Sequence, residues 1–113
     1  MNQEEKQYVI AHDNGPDLRF IGERIATAES NPESQHPNYS GERGRWEELE
    51  LYKTSGGSFV CLIEERSQWI GERPVRRAKV VRDVASIIDY FGQGWLAKEL
   101  YEAASIENVQ EIT

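Results

Sequence analysis

The sequence predicts an α+β domain: an antiparallel sheet of about four to five strands in a β-meander, with two carboxyl-terminal helices packed on one face. Three observations predict it. β-prone runs punctuated by Gly, Asn and Pro occupy the chain as far as Val81. Residues 46–53 and 58–66 flank Thr54-Ser55-Gly56-Gly57, a signal for a tight hairpin. After Asp83 the apolar spacing changes from alternation to a helical stripe.

The first strand is Tyr8-Val9-Ile10-Ala11, closed by the turn formers Asp13-Asn14-Gly15-Pro16-Asp17. Residues 18–28 satisfy two periods. Alternation sets Arg19, Ile21, Glu23 and Ile25 against Leu18, Phe20, Gly22 and Ala26, whereas Leu18, Ile21, Ile25 and Ala28 also align on a helix. Gly22 weakens the helix and the preceding turn favours a hairpin, so strand is preferred. Residues 29–44 are rich in Pro, Ser, Asn and Gly, and read as a long mobile loop within a single domain spanning 1–113. Residues 1–6 are polar and read as a flexible amino terminus.

In the hairpin, alternation places Leu49, Leu51, Val60 and Leu62 on one face and Tyr52, Phe59, Cys61 and Ile63 on the other. A second strand apolar on both sides is a central strand covered twice. Helices supply one cover; the region of Trp46 and Trp69, or a second copy of the protein, supplies the other. Residues 69–81 form a strand interrupted at Pro74, which confines it to an edge or a bulge. Asp83 N-caps a helix whose stripe is Val84, Ile87, Ile88 and Phe91, and Gly92 suits its left-handed terminus. A second helix covers roughly 95–104, and residues 106–113 read as a final short strand.

Composition restricts function. The 113 residues carry 20 acidic and 13 basic side chains, a net charge of −7, which repels polyphosphate and makes nucleic acid an unfavoured partner. No apolar run is long enough for a membrane span. One cysteine and a polar amino terminus without the plan of a secretory signal place the chain in the cytoplasm. Neither His12 nor His36 has a Cys or second His at ligand spacing, so no metal and no cofactor is expected. Gly92-Gln93-Gly94-Trp95-Leu96-Ala97 fits a dinucleotide fingerprint by letter, but a helix precedes it where the physics needs a strand. Cys61, mid-strand between apolar residues, reads as a buried inert thiol.

Two clusters carry more weight. Glu47, Glu48, Glu50, Glu64 and Glu65 gather on the hairpin, which raises acid–base chemistry as an option; cross-strand pairing with Arg45 or Arg66 is the simpler explanation. Residues 66–82 hold six basic side chains and one acidic one. Arg73, Arg76, Arg77 and Lys79 there, with Trp69 and Trp95, form the candidate interaction surface. The competing reading pairs these cations with the hairpin glutamates, and it is favoured.

Three segments, residues 18–23, 51–57 and 96–104 (the last Leu-Ala-Lys-Glu-Leu-Tyr-Glu-Ala-Ala), together weakly resemble small bacterial proteins named for a terminal E-x-L-D-I motif. The resemblance covers roughly residues 18–112 and departs at the motif, where this chain reads Asn108-Val109-Gln110-Glu111-Ile112. It implies a bacterial origin and assigns no site. The function expected from the whole reading is a non-enzymatic interaction module that forms a homodimer. The alternatives are an acidic regulator or inhibitor of a nucleic-acid-handling partner, and an enzyme using the hairpin carboxylates.

Overall fold

The computed structural model describes residues 5–30, 45–67 and 71–112. Five strands, β1 (Lys6–Ile10), β2 (Leu18–Glu29), β3 (Arg45–Thr54), β4 (Phe59–Ser67) and β5 (Val75–Val81), precede helices α1 (Val84–Phe91) and α2 (Trp95–Ala103). The strands pair in chain order, each antiparallel to the next, so the sheet is a meander with β1 and β5 at its edges. Strand wins over helix for residues 18–28, and Pro74 stands immediately before the edge strand β5. Lys6 belongs to β1 and Glu29 to β2; residues 1–4 and 31–44, read as flexible terminus and loop, lie outside the described residues.

Register decides which side chains share a face. Leu49 sits opposite Ile63, Leu51 opposite Cys61, and Tyr52 opposite Val60. Directly opposed residues of an antiparallel pair project to the same side. Leu49 and Leu51 therefore join Cys61 and Ile63 beneath the helices, while Tyr52 joins Val60 and Leu62 on the other face. The expected grouping of Leu49 and Leu51 with Val60 and Leu62 is thereby corrected: the turn pairs odd-numbered residues of β3 with odd-numbered residues of β4. A second correction concerns β2. Its register shifts between Arg24 and Ala26, and the extra residue moves Ala26 and Ala28 to the helix side, away from Phe20.

The sheet covers its own second face. Tyr8, Ile10, Leu18 and Phe20 of the β1–β2 hairpin pack on Tyr52, Val60, Leu62 and Ala78. The Tyr8 and Phe20 rings stack at 5.4 Å, and both meet Tyr52 edge-on. The curl turns on Gly22, where an added Cβ would lie 2.2 Å from the Lys53 carbonyl oxygen and 2.8 Å from Thr54 Cα. Only glycine lets two backbones approach that closely. β4 is thus covered twice, as its composition demands, but by helices and by the curled hairpin rather than by the Trp46 region or a second copy.

On the first face, α1 lies against β4 and β5, and α2 against β2 and β3. Asp83 caps α1 as expected, its carboxylate accepting from Ser86 N–H at 2.8 Å, and Gly92 ends the helix at φ +87°. The buried Tyr101 of α2 donates its hydroxyl to the Gly92 carbonyl at 2.6 Å, which ties the helices together. Residues 105–112 form no strand, contrary to expectation. Ile106 packs on the helical core and Asn108 exchanges two hydrogen bonds with Gln93. Beyond Asn108, none of the described strands pairs with residues 109–112.

Candidate interaction surface

β5 is the edge strand beside which the curled hairpin lands, and the turn after β1 meets its backbone. Asp13 N–H donates to the Arg76 carbonyl at 2.7 Å, and Asp13 Oδ2 accepts from Arg76 N–H at 2.8 Å. Asn14 repeats the arrangement one step along: Nδ2 donates to the Ala78 carbonyl and Oδ1 accepts from Ala78 N–H, both at 3.1 Å. One side-chain amide stands in for a strand residue. His12 steadies the turn through Asn14 Oδ1 at 2.5 Å and the Pro16 carbonyl at 2.7 Å. The sequence marked Asp13 and Asn14 only as turn formers; nothing in their spacing says that the turn reaches an edge more than sixty residues away.

The clasp stops at Ala78. Since Arg76 and Ala78 turn their backbone groups to the hairpin, Val80, two residues on, presents its own to the same open side. No hydrogen bond among the described residues meets them. The Val80 side chain is 48% exposed and borders an open groove of about 420 Å³ with Leu18, Phe20 and Val60 on its apolar wall, Arg19 and Asp17 at its rim and the β3–β4 turn at its end.

The predicted cationic ridge divides. Arg76 pairs with Glu64 at 3.5 Å and donates from Nε to the Ala11 carbonyl, and Arg77 pairs with Glu65 at 3.1 Å. Arg73, Lys79, Arg82 and Arg19 make no ion pair among the described residues. Trp69 lies outside the described residues, and Trp95 is half-buried against the helical core. Of the five candidate residues described, Arg76 and Arg77 are paired internally, Trp95 belongs to the layer under the helices, and Lys79 and Arg73 make no ion pair among the described residues.

Four of the five hairpin carboxylates are likewise committed. Glu64, only 7% exposed, lies between Arg76 and Arg66; Glu48 takes Arg66 at 3.4 Å and the Trp46 indole N–H at 3.3 Å. Glu50 accepts from the Tyr52 hydroxyl and faces Arg24, and burial beside that carboxylate holds the phenol above its ordinary range. Arg45 reaches Glu72 at 3.3 Å. Glu47 and Glu65 oppose one another across β3 and β4, and partial burial, aided by Glu65, raises the Glu47 carboxyl. Burial pushes the Cys61 thiol up to about 12, the wrong direction for a nucleophile. No group of three potential metal ligands occurs among the described residues, nor any helix long and apolar enough to cross a membrane.

Compared with known proteins, the chain matches no family model, no curated protein and no solved structure.

Proposed function

We propose that the chain is a non-enzymatic interaction module that self-associates. The reading rests on the end of β5, where no hydrogen bond among the described residues meets the Val80 backbone, beside a groove with an apolar wall and near Arg19 and Arg82, which make no ion pair among the described residues. An unmet strand edge is a template for another chain, and sheet proteins ordinarily cover or charge it. The commitment of Glu48, Glu50 and Glu64 to arginines, indole and phenol supports a binding role over acid–base chemistry. Sedimentation velocity over a concentration series tests it: the apparent mass rises from 13.0 kDa toward twice that value. A strict monomer at high micromolar concentration overturns the proposal.

The internal neutralisation of Arg76 and Arg77 favours a second reading, an acidic regulator of a nucleic-acid-handling partner, because it leaves the net charge of −7 to dominate the surface. Capture from the native host that recovers no basic, nucleic-acid-handling partner removes it.

A further inference from the structure

We infer that the open end of β5 receives residues 107–112 of a second copy of this chain, paired as a short added strand. The inference rests on the self-association proposed above and names the segment that carries it.

The receiving surface has three parts: the backbone N–H and C=O of Val80, the apolar wall of Leu18, Phe20 and Val60, and the cations Arg19 and Arg82, which make no ion pair among the described residues. The tail has the complementary three. Its backbone is in no strand. Val109 and Ile112 are 71% and 80% exposed, the two most exposed large apolar residues described. Its ionisable side chains, Glu107 and Glu111, are both acidic. Added strands obtain affinity from main-chain bonds and specificity from alternate side chains. In an extended tail Glu107, Val109 and Glu111 share one side. With Val109 beside Val80, one of the two glutamates comes level with Arg82, the residue directly after β5, which gives that register a charge match.

The fold also indicates whose tail fits. Ile106 packs on the helical layer and Asn108 is held by Gln93, so the tail leaves on the face of the sheet opposite the groove. A neighbouring copy meets the groove without rounding the sheet edge. Reciprocal exchange of two tails gives a closed pair, in which the second contact forms at high effective concentration.

Sedimentation of full-length variants tests this. Val109→Asp weakens dimerisation at least tenfold, and so does Arg82→Glu. Combining Arg82→Glu with Glu107→Lys and Glu111→Lys restores it, a rescue that a generally damaged fold would not give. Circular dichroism confirms that each variant retains the fold. A wild-type dimer that Val109→Asp leaves intact overturns the tail assignment alone and places self-association on another surface. A strictly monomeric wild-type chain overturns both.

Discussion

At the scale of single residues, two positions carry penalties that can be read from geometry. A methyl group at Gly22 would collide with backbone on the facing strand, and backbone cannot yield as a flexible side chain does. Gly22→Ala therefore destabilises by about 1–3 kcal/mol or more, seen as a lower midpoint in chemical denaturation. Glu47 faces Glu65 with its folded-state carboxyl raised by partial burial and that neighbour. A group with a raised folded pKa binds its proton more readily in the folded chain, so stability falls as pH rises from its ordinary value of 4.5 through the raised one. Glu47→Gln removes this loss. Its melting temperature exceeds that of the wild type at pH 7, and the difference closes as the solution is acidified below the carboxylate range.

At the scale of elements, the Asn14 clasp is the least expected contact. Asn14→Ala strips both partners from the backbone of Ala78, a residue only 4% exposed, at a cost of about 1–3 kcal/mol. Hydrogen exchange at the Ala78 amide accelerates well beyond that at the β3–β4 ladder, because the edge opens before the centre. Most elements were legible in advance: alternation, turn residues, the Asp83 cap and the Gly92 terminus are local signals, and local chemistry enforces them. What escaped was non-local. The bulge near Ile25 shifts the parity of Ala26 without any glycine or proline to announce it. The parity of the β3–β4 pairing depends on turn geometry, which the pair Gly56 and Gly57 permits without fixing. Pairing of the cations with the hairpin glutamates is the favoured reading of the sequence, and Arg76 and Arg77 make such pairs; which cations pair, and that Lys79 makes no ion pair among the described residues, required knowing which neighbours the register supplies. The residue with the open backbone, Val80, carries no polar side chain to draw notice.

At the scale of the molecule, a single strand serves two apolar layers. Cys61 of β4 lies in the layer beneath the helices, while Val60 and Leu62 lie in the layer beneath the curled hairpin. Neither layer can be lost without exposing a face of the strand the other needs. Leu51→Ala in the first layer lowers stability by about 2–5 kcal/mol, and Val60→Ala in the second by less, since fewer methyl groups are removed. Both act on one cooperative transition. Circular dichroism and tryptophan fluorescence give coincident midpoints in each variant, and separated midpoints would refute a shared core.

The lone thiol, Cys61, sits in the layer beneath the helices, fully shielded and with its proton firmly held. A thiol-directed reagent can reach it only while the molecule is open, so the rate of labelling counts excursions from the folded state. This small protein thus carries one chemical clock in its core, and reading it requires no substitution in the chain.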